Sequence, residues 1–316
     1  MDKVSVIMGV YNEKPKWLKE SINSILKQTY ENFEFIIVLD DPNNEELEKI
    51  LLKYKSLDSR IKIIKNQMNL GLVKSLNIAL NHASGNLIAR MDADDIALPN
   101  RFKIQVDFMK KNKNIALLGC RVKFINENGI FIGNENNKIL NNDEIAEHLR
   151  FCNAISHPTI MFRKDIVAKI GGYRNALYAE DYELYTRLII NNYEVANIDE
   201  VLLLYRKREN GISLSKRSKQ ISTTTYLQKI YKMGLKKSRD YFKEEELLKL
   251  LENESDFDEK LYSKNLEYKD NNKKIMRYLT IIVLILKSKK YRYFFKNRTK
   301  LKFYLKKINR NKGSYE

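Results

Sequence analysis

The sequence predicts an α/β protein: a mostly parallel sheet flanked by helices, followed by a helical, basic C-terminal extension. Three observations carry that prediction. Short apolar runs alternate with helix-periodic segments over the first 120 residues, the mark of parallel strands joined by crossover helices. Carboxylate-rich clusters follow consecutive runs, as at the carboxyl ends of parallel strands. After about residue 212 the chain turns to Lys, Glu, Leu and Tyr-rich sequence of helical character.

The elements follow in order. Val4 to Val10 reads as a buried strand, and Pro15 opens a helix whose Leu18, Ile22, Ile25 and Leu26 share one face. Phe33 to Leu39 is a second buried strand ending at Asp40-Asp41-Pro42, and Leu47, Ile50, Leu51 and Tyr54 mark the next helix. A short strand at Ile61 to Ile64, a helix at Leu72 to Ala83 and a strand at Asn86 to Met91 follow. Pro99 to Lys111 reads as helix and Ile115 to Leu118 as strand. Further on, Cys120 to Gly133 reads as strand and turn, Asp143 to Arg150 as a capped short helix and His157 to Phe162 as extended. Gly171-Gly172-Tyr173 reads as a tight turn, Glu180 to Asn191 as helix and Val201 to Leu204 as strand. The expected organisation is a domain over 1–212, with halves 1–120 and 121–212, and a helical region over 213–316.

Composition narrows the function classes. A chain of 316 residues with 43% hydrophobic and 31% charged residues can bury a sizeable core. Cys120 and Cys152 form neither a disulfide framework nor a metal-ligand pattern, which fits a reducing compartment. The opening strand lacks the flanks of a secretory signal. The longest uncharged apolar stretch, Tyr278 to Leu286, is nine residues, well short of the roughly 20 that span a bilayer. The expectation is a cytoplasmic protein without a membrane span. Of the net charge of +18, the segment after residue 270 carries +14, from 15 Lys or Arg against one acid. The body is near neutral and the tail strongly basic.

The densest chemistry lies at Met91-Asp92-Ala93-Asp94-Asp95, three carboxylates in four positions behind an apolar run. Uncompensated, they repel one another and resist burial. A hard divalent cation such as Mg²⁺ or Mn²⁺ is the simplest compensation, and an acidic turn before the next helix is the plain alternative. Tyr11-Asn12-Glu13 after the first run and Asp40-Asp41 after the second would share its rim, because parallel strands point their carboxyl ends one way.

The motifs Val4 to Glu13, Asn69-Leu70-Gly71, Met91 to Asp95, His157-Pro158, Gly171 to Arg174 and Ala179-Glu180-Asp181-Tyr182 occur in order along the chain. Taken together they resemble the family-2 inverting glycosyltransferases of the bacterial surface-polysaccharide kind, over about residues 3 to 210. The resemblance implies the GT-A fold, with a Rossmann-type sheet, and transfer from a nucleotide-diphosphate sugar to a glycan or polyprenyl-linked saccharide. It implies Mn²⁺ or Mg²⁺ held by Asp94, with Asp92 on the nucleoside and Asp95 behind the ligand or capping the next segment. Val10, Tyr11, Asn12 and Glu13 would cradle the nucleotide, and Asn69 would line the cleft. Asp40 or Asp41 matches the acid that bonds the base, commonly uracil. Here the family's Asp-Asp-Gly-Ser reads Asp40-Asp41-Pro42-Asn43, and proline stiffens that loop. Glu180-Asp181 matches the acidic pair that supplies the general base, assigned to Asp181. His157 would stand near the cleft and Arg206 near the diphosphate, with the loop through Gly211 closing over the donor.

The tail interleaves bases with Tyr278, Tyr291, Tyr293, Phe294, Phe295, Phe303 and Tyr304. Anionic lipid attracts such sequence, at ~1 kcal/mol per Lys or Arg, and so does nucleic acid. The polysaccharide resemblance favours the inner face of the cell membrane, with no nucleic acid expected. Rival readings are a nucleotidyltransferase-like α/β enzyme, which needs no acidic pair downstream, and a basic nucleic-acid-binding protein, which leaves both acidic clusters idle. A dinucleotide-binding oxidoreductase is disfavoured, since no G-x-G-x-x-G follows the first strand.

Overall fold

The computed structural model of the chain describes residues 2–135, 139–208, 216–253, 256–271 and 273–312. Two compact units emerge. The first comprises Met1–Ile145, Ala154–Asn175 and Arg187–Glu209; the second comprises Ala146–Asn153, Ala176–Thr186 and Asn210–Glu316. The boundary expected at 212–213 and the loop through Gly211 lie outside the described residues.

The first unit is built on strands β1 (Val4–Val10), β2 (Phe33–Leu39), β3 (Ile61–Lys65), β4 (Leu87–Arg90), β5 (Ile96–Ala97), β6 (Ile115–Ile125), β7 (Phe131–Asn134), β8 (Met161–Arg163) and β9 (Glu194–Arg206). Among the described residues they form one sheet in the order β3-β2-β1-β4-β8-β6-β9-β5, with β7 beside β6. The parallel reading holds for β3-β2-β1-β4 and for β6-β9. Strands β8, β5 and β7 run antiparallel to their neighbours, so the sheet is mixed. Helices α1 (Pro15–Leu26), α2 (Glu45–Leu57), α3 (Leu72–His82) and α4 (Arg101–Lys111) make the crossovers, followed by α5 (Asn142–His148), α6 (Lys164–Lys169) and α7 (Glu180–Ile190).

Local chemistry explains these elements. Pro15 starts α1 at a position where its missing N–H costs nothing, and Trp17, Leu18, Ile22 and Ile25 turn inward. Asn44 caps α2 by accepting a hydrogen bond from the Leu47 amide at 3.1 Å. Their apolar faces join alternate side chains of β1, β2 and β4 in one core cluster.

Some elements differ from the sequence reading. β9 is 13 residues long, although only Val201 to Leu204 was expected as strand. Its register against β6 jumps from Cys120↔Ile198 to Arg121↔Val201, so Asp199 and Glu200 bulge out and interrupt the apolar pattern. The segment expected as extended from His157 begins with a 3₁₀ turn, His157–Thr159, before β8.

The second unit packs α8 (Arg217–Lys237), α9 (Glu244–Glu252), α10 (Asp256–Asp270), α11 (Lys274–Lys287) and α12 (Lys289–Lys312). Ile221, Tyr262, Leu284 and Tyr291 form an apolar cluster there, bordered by Leu261, Leu266, Phe294 and Phe295. The Tyr262 and Tyr291 rings stack at 5.1 Å.

A carboxylate is buried in the parallel half of the sheet. Every residue of β2 is buried, including Glu34. Its carboxylate accepts from Ser5 Oγ at 2.6 Å and from the Ser84 amide and hydroxyl at 2.7 Å each, and pairs with Lys62 Nζ at 2.7 Å. Burial alone would raise the pKa, but Lys62 and the serine donors outweigh it and hold the group below its usual 4.5. A depressed carboxylate adds stability above its unfolded value, and that stability is lost as pH falls below about 4.5. Glu34→Ala should therefore cost about 1–3 kcal/mol in chemical denaturation, the range for leaving buried donors such as Ser5 Oγ unpaired while Lys62 regains water. Glu34→Gln should show a flatter loss of Tm than the wild type as pH falls from about 5 to about 3.

Candidate active site

Strands β2, β1 and β4 are adjacent and parallel, so their carboxyl ends form one rim. Beyond β1, Asn12 adopts a left-handed conformation, φ 52°. That turn lets the Glu13 carboxylate accept from the Tyr11 amide at 2.6 Å. Tyr11 is half exposed at the rim, whereas the Val10 side chain belongs to the core and its carbonyl accepts from the Asp40 amide. Any part Val10 plays in binding is thus limited to its backbone.

Beyond β4 the chain enters the acidic loop, which α1 supports from below. Ser21 Oγ donates to the Asp92 carbonyl at 2.8 Å, and Ser24 Oγ accepts from the Ala97 amide at 3.0 Å. Asp94 and Asp95 are buried and Asp92 is half-buried. Three arginines compensate them. Arg90, itself buried, pairs with Asp92. Arg208 Nε meets Asp94 Oδ2 at 2.8 Å. Arg206 donates its amide to Asp95 Oδ1 at 2.7 Å and its Nε to the Asp94 carbonyl at 2.7 Å.

Arg206 was expected beside the diphosphate. Instead its guanidinium is buried, bonded to the carbonyls of Asn126 and Glu127 and paired with Glu20 at 2.7 Å. A guanidinium with each of its three nitrogens engaged by protein is a strut. Arg208, half-buried and two residues on, is the base that reaches an acid of the loop. Trp17 backs both, its ring 5.4 Å from Arg206 and 5.9 Å from Arg208.

The acids do not sit comfortably even so. Burial, reinforced by Asp92, pushes the Asp94 carboxyl up to about 6 against the pull of Arg208 and Arg90. Asp95 is raised well above its ordinary value by burial and by both neighbouring acids. Burial and Asp94 raise Glu13 to about 8. Burial works against the charge on Arg90, but Asp92, Tyr173 and Asp95 outweigh it and raise its pKa. Carboxylate oxygens of Asp92, Asp94 and Asp95 lie within 4.8 Å of one another, and Asp95 Oδ2 is buried without a hydrogen-bond partner among the described residues. An all-oxygen set with surplus negative charge fits a hard divalent cation.

The remaining rim residues sort by what already holds them. Asp40 is buried and accepts from Asn66 Nδ2, the Leu70 amide and the Gly71 amide at 2.7–2.8 Å, so it organises the loop before α3. Asp41 is half-buried, with Asn44 Nδ2 at 3.3 Å, and is the acid of the pair with oxygen to offer a base. Asn69 is exposed and bonds the Gly71 amide at 3.0 Å. His157 is buried, with Nε2 3.1 Å from Tyr173 Oη, and burial together with Arg90 depresses its pKa well below the ordinary value. It lies behind the rim. Tyr173 is fixed in turn by Asn77, which bonds both its amide and its carbonyl, at 2.9 and 2.8 Å.

Glu180 and Asp181 belong to the second unit, in the first turn of α7. Both are half-buried. Asp181 accepts from Asn153 Nδ2 at 2.6 Å and from the Tyr182 amide at 2.7 Å, which fixes the direction of its carboxylate.

Sequence reading passed over Arg90, Arg208 and Trp17. A signal existed for the first: a lone Arg closing the strand Leu87-Ile88-Ala89 just before three acids is a charge that the strand would not otherwise carry.

Comparison with known proteins adds independent findings. The sequence pattern defining Glycosyl transferase family 2 matches residues 5–171. An uncharacterized glycosyltransferase of Methanocaldococcus jannaschii is 42% identical over 229 residues, 71% of this chain and 79% of that protein. The O-antigen biosynthesis glycosyltransferase WbnJ of Escherichia coli is 39% identical over 208 residues, 65% of this chain and 80% of that protein. In three dimensions the chain is similar to S. aureus TarS residues 1–349 crystallised with UDP-GlcNAc, with a TM-score of 0.59 at 18% identity, covering 96% of this chain and 81% of that one. At that identity the likeness speaks to the fold.

The two arginines should separate cleanly by mutation. Arg206→Met leaves Glu20 and the Asp94–Asp95 turn without their buried partner and should cost about 3–5 kcal/mol of stability in urea. Arg208→Gln removes a half-exposed ion pair and should cost no more than about 1 kcal/mol. Equal losses would show that Arg206 is not the strut.

Proposed function

Because the chain belongs to Glycosyl transferase family 2, we propose that it transfers a sugar, with inversion, from a UDP-sugar to a glycan or polyprenyl-linked saccharide in cell-surface polysaccharide synthesis. The observation that carries this reading is the buried loop Asp92 to Asp95, met by Arg208, on the rim that also presents Asp41 and the Tyr11–Glu13 turn. The names of WbnJ and of the TarS complex support the pathway and the donor class. Among the described residues no helix is long and apolar enough to cross a membrane. The proposed location is the cytoplasmic face of the cell membrane, where a tail carrying +14 meets anionic lipid.

The proposed roles are these. Asp41 takes the base, Asp92 the nucleoside, and the Tyr11–Glu13 turn closes one side of the nucleotide. Asp94, flanked by Asp92 and Asp95, would hold Mn²⁺ or Mg²⁺, which when bound supplies positive charge to the diphosphate. Arg208, once exchanged from Asp94, adds a second positive charge for the departing diphosphate. Asp181 takes the proton from the acceptor hydroxyl, whose oxygen bonds the anomeric carbon as the bond from that carbon to the phosphate oxygen breaks. The nucleoside diphosphate leaves with the electron pair. A single displacement of this kind inverts the anomeric centre. Glu180 stands beside the base as the other member of the pair.

Assays with a panel of UDP- and GDP-sugars, in Mn²⁺, Mg²⁺ or EDTA, test the reading. Asp181→Asn should lower transfer by ~10²–10⁴-fold while leaving donor binding intact. Asp94→Ala should abolish the cation dependence of donor binding measured by calorimetry. Transfer at the normal rate by Asp181→Asn would overturn the base assignment.

A further inference from the structure

Helix α11 is built inside out. Its inward side carries Leu284, part of the cluster with Ile221, Tyr262 and Tyr291, and Thr280, whose hydroxyl accepts from Asn265 Nδ2 at 2.7 Å. The opposite side carries Ile275, Tyr278, Leu279, Ile282 and Leu286, exposed to 77, 68, 51, 51 and 69%. Their spacing of three and four residues sets them on one stripe, about 17 Å long at ~1.5 Å per residue. A helix apolar on both sides is ordinarily covered on both.

The surroundings of the stripe identify what covers it. Exposed Lys273 and Lys274 precede it and exposed Lys289 follows it, and no acid occurs between Asn271 and Tyr315. A second copy of the chain would bring one strongly basic tail against another, whereas anionic lipid supplies both the apolar phase and the opposite charge. At 14 residues α11 is too short to cross a bilayer, for which roughly 20 are needed. Of the aromatic residues expected to dock, Tyr278 lies on the stripe and Phe303 is exposed, while three others serve the core. Tyr291 is fully buried, and Phe294 and Phe295 pack against the same cluster.

We infer that α11 is an in-plane membrane anchor: its outer stripe enters the acyl boundary of an anionic bilayer, and the lysines at its two ends lie at the phosphates. This sharpens the membrane surface named above and rests on no catalytic assignment.

Flotation of the full chain tests it, using vesicles of phosphatidylcholine with or without about one third phosphatidylglycerol, at roughly physiological ionic strength. The wild type should float with the anionic vesicles. Leu279→Glu/Ile282→Glu should reduce the bound fraction by at least ~10-fold, since both side chains forfeit apolar transfer. Its Tm and its hydrolysis of donor sugar in solution should not change, because both positions face outward. Flotation of the double variant equal to wild type would overturn the inference. So would a wild-type dimer in lipid-free buffer that the double variant turns into monomer. Complete release of the wild type at high salt would also overturn it, because apolar insertion survives screening. These vesicles carry no saccharide, so a chain that floats yet transfers no sugar would sink the enzymatic reading alone.

Discussion

The structure of the first unit turns on three carboxylates at the end of one strand, two of them buried and one half-buried. Asp92, Asp94 and Asp95 cannot be placed together away from water unless positive charge meets them from several directions. Arg90 comes from the strand that delivers the loop, while Arg206 and Arg208 come from the end of β9, more than a hundred residues later. Strand β5, only two residues long, pairs with β9 and brings those two chain segments into register. The site therefore depends on the pairing of β5 with β9 as well as on the parallel strands that supply the rim.

The compensation is incomplete, and the proposed cation site rests on the remainder. Asp94 stays elevated to about 6 although Arg208 touches it, and Asp95 keeps a buried oxygen unbonded. On the proposed reading, a frame that satisfied every acid would leave no affinity for a cation. Division of labour between neighbours serves the same end. Asp40 is consumed in shaping a loop while Asp41 faces outward, and Arg206 is consumed as a strut while Arg208 keeps an exchangeable bond. In both pairs the two residues are of one chemical type and differ only in where the backbone aims them.

The second unit follows another logic. Its aromatic residues build its own small core, and its apolar surplus is displayed on α11. If the acceptor is carried on lipid, as proposed, a helix lying in the interface would orient the chain as well as attract it.

Local signals along the chain suffice for the alternation of strands and helices up to α4, the three polar clusters at strand ends and the uneven charge. They are apolar runs, proline and asparagine at helix starts, and carboxylates where a strand ends. The sequence also contained the family motifs, because those motifs are contiguous. Only the tertiary structure decided which residue of each pair is available, because Asp40 and Asp41, or Arg206 and Arg208, are indistinguishable by type. The bulged half of β9 was hidden by Asp199 and Glu200, whose polarity breaks the strand pattern while their backbone steps out of register. Glu34 lies in a run expected as a buried strand, and only the fold brings Lys62 and Ser84 around its carboxylate. The tail was legible in composition but not in orientation, since the helical period alone does not say which side of α11 finds a partner. Burial is a property of the neighbours a segment meets, and those neighbours come from elsewhere in the chain.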